Sequence, residues 1–592
     1  MSASTRAHDP TAEEQDAGAQ LRRTLAAGDP QRVREQHEAA DRHPAVGRFV
    51  NHLTDRRVLP YCVSVFRTRQ VCLLAILLSA CALSSACATH DPGRPRLAVV
   101  VVIDQFRAGD LQRLRPLYGD GGFAGVAEGK ESASLVGRYQ HACTETAPGH
   151  ATLSTGAAPS VHGIIVNNWF TGRALTYAVS DPEHGRSAAR MLAPTLGDAL
   201  KLATQGVGKV AAVSIKDRGA ILSAGSAADA AVWLNPRTAR FTTSRAYPAT
   251  PAELLVPATL TDWDGHMTAT APAGISDPDQ GGFIHPPSGW GPGFPHRFQD
   301  LGEGVAGWAY RMTPTAAEQL LDLGVQTLEV LKLGADDTPD LLIVSVSTTD
   351  YVGHAFGPHS PQYADVMAHL DVALRKFRAR VEAAVGPGRT IWAISGDHGA
   401  GPATERLLRW GKPGGAITMQ AIASAAERAM LETAGANPAG PWVVGVEPPH
   451  LYLDLDPLPA DRRPAALKAA RKAVAGVAGV AITFLPDDPP TPNDPLEAAA
   501  RLCHLPGRSG QIMLVQKEGW TFDDEESPSA ANHGSPYPYD QEVPLILWGP
   551  GERAGLHQER VDPRDLAPTL AKLLRIPPPA QAQGRVLTEA LR

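Results

Sequence analysis

The chain has 592 residues, 43% of them hydrophobic, with a formal net charge of −7. That is enough apolar chain for one large α/β domain with insertions or for two or three smaller domains. No long basic stretch follows the first 70 residues, which argues against a nucleic-acid-binding role and requires any anion site to be built locally.

Residues 1–64 are rich in Ala, Arg, Glu and Asp with weak periodicity. They are expected to be disordered or an extension of the gene model ahead of a start near Val63 or Val65. Residues 65–87 have the order of a secretory signal: Arg67 and Arg69, then the apolar run Val71–Leu78, then small residues. The run is short for a membrane span. Leu78-Ser79-Ala80-Cys81 resembles a bacterial lipobox, with Cys81 as the expected lipidation site and Cys87 as the alternative. A membrane-anchored, exported protein follows as an expectation, periplasmic or outer-membrane, Ala82 standing where an Asp is absent. Residues 88–95 read as a linker.

The body, 96–590, alternates short apolar runs with amphipathic stretches, so it is expected to be α/β with a mainly parallel sheet. Leu97–Ile103 reads as the first strand, followed by a helix-like stretch toward Leu117 and Gly-rich turns around Gly119–Gly125. Val210–Ile215 reads as another strand. Residues 222–310 are dense in Gly, Pro, Trp and Thr and read as an insertion or lid shaping a leaving-group pocket. Helices are expected over Thr315–Leu333, Ser360–Val385 and Ala416–Ala434. Leu341–Val346, Ile391–Ser395 and Val543–Trp548 read as strands. Pro449–Val480 reads as a strand and then a helix, Pro486–Asp494 as a loop and Pro563–Leu574 as a closing helix. No CxxC pair is present, which excludes zinc-ribbon and thioredoxin-like readings. The pairing of Cys143 and Cys503 stays open, with two free, buried thiols favoured.

Asp and His residues stand at the ends of these runs. Asp104 closes the first strand, and Asp350 with His354 follows Val346. Asp397 with His398 follows Ser395, and His533 precedes Val543. Ligands of open α/β sheets gather at strand carboxyl ends, so these residues can meet at one edge. Asp350 and His354 are four apart and can face one ion; glycines around Asp397 and His398 let adjacent side chains converge. A His and carboxylate set without cysteine suits zinc. Thr146 opens Thr146-Ala147-Pro148-Gly149-His150, a loop entering a helix, where a hydroxyl sees the positive helix end and can be a nucleophile or a simple cap. His141, His162, His285 and His359 read as structural.

These motifs, with His162-Gly163-Ile164-Ile165-Val166-Asn167-Asn168-Trp169 and the tail Asp565–Leu570, resemble in order the alkaline phosphatase superfamily, and more closely the PafA-type enzymes that use threonine as nucleophile. The resemblance spans roughly 96–590. It implies a three-layer α/β/α fold with inserted lid segments, and two Zn2+ ions. One would be held by Asp350, His354 and His533, the other by Asp104, Asp397, His398 and the Thr146 oxygen. It implies hydrolysis of small phosphate monoesters through a phosphothreonine intermediate, with Asn167, Lys216 and Arg218 as donors to the phosphoryl oxygens. Alternatives are a phosphodiesterase or nucleotide pyrophosphatase on the same fold, which would lack the Lys-x-Arg pair, and a non-catalytic binding lipoprotein. A sulfatase would need an Arg that this motif lacks.

Overall fold

A computed structural model describes residues 95–269, 271–272, 274–275, 284–523 and 529–592. The expectations for the leader, for Cys81 and Cys87 and for most of the linker lie outside the described residues.

The central sheet contains β1 (Leu97–Ile103), β2 (Ala133–Arg138), β3 (Val210–Ser214), β4 (Ala230–Asn235), β5 (Arg240–Thr242), β6 (Asp340–Val346), β7 (Thr390–Ser395), β8 (Glu542–Trp548) and β9 (Gly555–Val561). Their order is β9-β2-β8-β7-β1-β6-β3-β4-β5. β1 pairs parallel with β6 and β7, and β3 pairs parallel with β6 and β4. β8 runs antiparallel to both β7 and β2, while β9 is parallel to β2. The sheet is therefore mixed and mainly parallel. The carboxyl ends of β1, β2, β3, β6 and β7 and the amino end of β8 share one edge.

The helices include α1 (Thr146–Thr155), α2 (Asp217–Ala224), α3 (Pro314–Leu331), α4 (Thr348–Phe356), α5 (Pro361–Val385), α6 (Met419–Ala434), α7 (Arg463–Ala475) and α8 (Leu566–Leu574). β1 is buried throughout, and its side chains alternate between two cores, as the period of two demands. Val99 and Val101 pack in one core with Leu320 and Leu321 of α3 and Phe377 of α5. Val100 and Val102 pack in the other with Ala151 of α1, Ile221 of α2 and Leu570 of α8. Two apolar faces on one sheet, each covered by helices, make the three layers.

A third core lies under a separate antiparallel sheet of Val443–Glu447, His450–Leu453, Ile512–Gln516 and Val480–Phe484, which includes the expected strand after Pro449. Ile422 and Met430 of α6 and Ala470 and Val474 of α7 fill it.

Three expectations change. Gly415–Thr418 is a short strand parallel to Trp520–Asp523, and α6 starts only at Met419. The Thr418 hydroxyl accepts the Ala421 N–H at 3.1 Å, a cap that ends the strand and begins the helix. The segment 222–310 is not wholly an insertion: its first residues finish α2, and the apolar run Ala230–Asn235 joins the sheet as β4, followed by β5. Cys143 and Cys503 form a disulfide, not two free thiols. The fold brings the loop before α1 against the end of helix Pro495–Arg501, a proximity that 360 intervening residues conceal.

Candidate active site

Every chemistry-bearing residue named from the sequence arrives at the shared sheet edge except Asn167, which comes from the loop after His162. Asp104 directly follows β1, Lys216 is the residue before α2, and Asp350 and His354 lie one turn apart in α4. Asp397 and His398 follow β7, and His533 precedes β8. Gly149 lets α1 approach this edge: a Cβ there would sit 2.2 Å from the Asp397 carbonyl oxygen.

The first cluster is Asp350, His354 and His533. Asp350 Oδ1 lies 3.2 Å from His354 Nε2 and 3.4 Å from His533 Nε2, and the two Nε2 atoms are 3.2 Å apart. The Nδ1 atoms of His354 and His533 face the carbonyls of Ala531 and Thr144 at 2.8 and 2.9 Å. His398 does the same with Gly399 at 2.9 Å. Each Nδ1 can therefore only donate, which fixes the tautomer and leaves three Nε2 lone pairs converging on the cluster. Convergent lone pairs beside a carboxylate repel unless a cation or proton lies among them, and the fit is to a metal ion. Burial, and then the neighbouring His533, hold His398 well below the usual imidazole range; burial lowers His533 as well. Both rings are thus kept neutral, the ligating form.

The second cluster is Asp104, Asp397 and His398, with His150 between the carboxylates. His150 Nδ1 is 3.3 Å from Asp397 Oδ2, its Nε2 is 3.6 Å from Asp104 Oδ1, and all three are fully buried. His398 Nε2 lies 3.4 Å from Asp397 Oδ2 and makes no hydrogen bond. Burial and the charge of Asp104 push Asp397 up to about 6. His150 and Lys216 oppose that rise, and a bound metal cation would add to them. His150 was passed over in sequence, although its position four residues after Thr146 on a helix was visible.

Lys216 joins the clusters to the hydroxyl. Its Nζ lies 2.5 Å from Asp350 Oδ2, 3.1 Å from Asp104 Oδ2 and 2.9 Å from Thr146 Oγ1. Burial opposes its charge, but Asp350 and Asp104 prevail and raise its pKa. Thr146 opens α1, as expected, and the Asn167 Oδ1 accepts the Ala147 N–H at 2.9 Å, which leaves the Asn167 Nδ2 donors free for another partner. Arg218 is buried; one guanidinium N–H donates to the Tyr177 hydroxyl at 3.2 Å, and Nε makes no hydrogen bond.

Thr146, Asn167, Lys216 and Arg218 line one cavity of about 270 Å3 together with Asp350, His354 and His533. Met419, Glu447 and Phe522 line it as well, and none of the described residues of 222–310, the segment expected to shape the leaving-group pocket, does. A larger cavity, about 750 Å3, around Arg138, Tyr537 and Arg585 holds none of these residues. Two carboxylates in the smaller cavity went unread in sequence. Burial pushes Glu145 up to about 7, and burial with the charge of Glu145 pushes Glu447 up to about 8.

A family model described as type I phosphodiesterase / nucleotide pyrophosphatase matches residues 98–536. The chain is 28% identical over 543 residues to alkaline phosphatase PhoV of Synechococcus elongatus, covering 84% of this chain and 93% of the relative. It is 28% identical over 543 residues to alkaline phosphatase PafA of Elizabethkingia meningoseptica, covering 85% and 96%. The crystal structure of wild-type PafA superposes with a TM-score of 0.74 at 26% identity, covering 84% of this chain and 99% of that one. A second PafA structure, with a TM-score of 0.75, 26% identity and the same coverage, carries substitutions at a threonine, an asparagine, a lysine and an arginine. The first two are 21 residues apart and the last two are 2 apart, as are Thr146 with Asn167 and Lys216 with Arg218 here.

Proposed function

Because the chain belongs to the type I phosphodiesterase / nucleotide pyrophosphatase family, within the alkaline phosphatase superfamily, we propose that it is an alkaline phosphatase that hydrolyses phosphate monoesters. The observation that carries this reading is the convergence of Lys216, Arg218 and Asn167 on the cavity that holds the Thr146 hydroxyl. A monoester dianion presents one more anionic oxygen than a diester, and two buried cations with a free amide are what that oxygen needs.

Thr146 is the proposed nucleophile. Its hydroxyl proton passes to water, its Oγ1 forms the bond to phosphorus as the bond to the leaving oxygen breaks, and the leaving oxygen takes a proton from water to depart as the alcohol. Water then hydrolyses the phosphothreonine to phosphate and the free Thr146 hydroxyl. Lys216 lies between the two carboxylates and donates to Oγ1, where its charge stabilises the alkoxide. Arg218 and Asn167 Nδ2 orient the phosphoryl oxygens, and preorganised donors of this kind account for much of phosphoryl-transfer catalysis. Asp350, His354 and His533 would hold one Zn2+, and Asp104, Asp397, His398 and the Thr146 oxygen a second. Bound there, the two ions would supply Lewis acidity to the hydroxyl and the leaving oxygen. Three imidazole Nε2 donors favour zinc over the oxygen-loving magnesium or calcium.

The test is kcat/KM for an aryl phosphate monoester against the matching methyl diester, on zinc-loaded protein near pH 8. A strong monoester preference is expected. The second reading, a phosphodiesterase, is favoured by the name of the matching family model and would show as a diester preference. We also propose export through residues 65–87 with lipid on Cys81 or, alternatively, Cys87, placing the enzyme in a bacterial periplasm or on an outer membrane. Mass spectrometry of the mature N-terminal peptide should find a lipidated cysteine; an unmodified peptide spanning both cysteines refutes the anchor.

A further inference from the structure

The cavity has an unused side. Glu145 and Glu447 line it together with the proposed metal ligands Asp350, His354 and His533, and among the described residues neither forms an ion pair. Glu145 Oε2 accepts the Asn167 backbone N–H at 2.8 Å, and no bond to its Oε1 is seen; no side-chain partner is seen for Glu447. Asn168 lines the same cavity, is 7% exposed, and its Oδ1 is buried without a hydrogen bond. The strand that carries Asn168 packs on the strand that ends at Glu447. A buried amide oxygen without a donor is costly, and two neighbouring carboxylates without a cation repel. With the carboxyls ionised, Glu145 Oε1, the Glu447 carboxylate and Asn168 Oδ1 are acceptors, and among the described residues no protein donor serves these three. Met419 and Phe522 line the cavity too, offering apolar surface and one aromatic face. Phosphate chemistry explains none of these residues, because they would repel a phosphoryl oxygen.

We propose that Glu145, Glu447 and Asn168 form a subsite for an alkylammonium group on the leaving alcohol, so that the enzyme selects phosphate monoesters of amino alcohols. This rests on the monoesterase reading and deepens it. An ammonium group donates up to three hydrogen bonds, matching two carboxylates and an amide oxygen. Its methylene chain lies against Met419 and Phe522, where the ring face also attracts the cation. A zwitterionic ester, with a phosphoryl dianion and an ammonium, matches a cavity lined by both Lys216 and Arg218 and by Glu145 and Glu447.

The experiment compares 2-aminoethyl phosphate with propyl phosphate, which replaces the ammonium by a methyl group at equal length. kcat/KM is measured by phosphate release on metal-loaded wild type, Glu447→Gln and Asn168→Ala, and Kd by calorimetry on the same three subsites carrying Thr146→Ala, which bind without turnover. Wild type is expected to favour the amino ester about tenfold, the scale of a charge-assisted hydrogen bond. Glu447→Gln should bring that ratio close to one, and Asn168→Ala should lower it. Equal Kd for the two esters in Thr146→Ala and equal kcat/KM in wild type overturn the proposal, as does a ratio that Glu447→Gln leaves intact. A preference abolished by millimolar magnesium assigns these oxygens to a divalent ion and overturns it too. Turnover of neither ester would sink the monoesterase reading alone, and the Kd ratio would still decide the subsite.

Discussion

Lys216 is charged because two carboxylates outweigh the cost of burying it, and the same contacts set what its loss does. Without the ammonium, Asp104 and Asp350 face each other and Thr146 Oγ1 loses a donor at 2.9 Å. Lys216→Ala is therefore expected to lower kcat about 10²- to 10³-fold, the usual cost of one preorganised donor. Thr146→Ala should remove nearly all turnover while zinc content, measured by elemental analysis, stays close to wild type, since six other side chains remain to hold the metals. A fully active Thr146→Ala would end the nucleophile assignment. Arg218→Ala should cost far more on monoesters than on diesters, and equal losses would remove it from phosphoryl recognition. These residues were legible because the ordered set of motifs repeats a known order; singly, an Asp at a strand end or a Thr at a helix start reads as an ordinary cap. Glu145, Glu447 and Asn168 were not legible. Each is an ordinary polar residue in its own stretch, and they meet only because the sheet that includes Val443–Glu447 packs over the cavity.

Helix α1 shows how an element positions chemistry. Gly149 is a poor helix residue, and Gly→Ala in a helix ordinarily stabilises by about 1 kcal/mol. Here the new methyl would sit 2.2 Å from the Asp397 carbonyl oxygen, a backbone atom that has little room to yield. Overpacking of this kind costs about 1–3 kcal/mol or more, so the clash wins. Gly149→Ala should lower both Tm and kcat, because moving α1 separates Thr146 from Asp397. An unchanged kcat would mean that the helix approach does not set the geometry. At this scale α5 was read with nearly correct ends, since Ser360 caps it by accepting the Tyr363 N–H at 3.0 Å. The start of α6 was not, because Gly415–Thr418 becomes a strand only through its distant partner Trp520–Asp523. β4 was hidden for a related reason: its six residues stand at the start of a long Gly- and Pro-rich region whose average composition says loop.

The α/β class of the whole molecule was legible because alternating short apolar runs and amphipathic helices leave few other packings. The antiparallel direction of β8 was not, since direction is set by where the chain returns. The disulfide belongs to this scale as well. It joins Cys143, three residues before Thr146, to Cys503 across 360 positions. Loss of a long-range disulfide typically costs about 2–5 kcal/mol. Cys503→Ser should therefore lower Tm and reduce activity by loosening the nucleophile loop. Stability against pH combines groups of opposite sign. Burial, then the charge of His504, lowers His450 to about 3, against about 6.5 in an unfolded chain. Its contribution is intact above about 6.5 and is lost as pH falls toward 3, at roughly 2 kcal/mol by pH 5. Burial raises Asp540 to about 8, so its contribution is complete below about 4 and is lost as pH rises through 8. Because the two oppose each other, the wild-type Tm profile alone is uninformative and difference measurements are needed. Relative to wild type, His450→Gln should gain Tm on going from pH 7.5 to 5. Asp540→Asn keeps an acceptor for the Ser535 hydroxyl, which now donates to Asp540 Oδ2 at 2.5 Å, and should gain Tm relative to wild type on going from pH 5 to 9. Parallel profiles for wild type and Asp540→Asn would mean that Asp540 ionises in the folded protein as readily as in the unfolded chain.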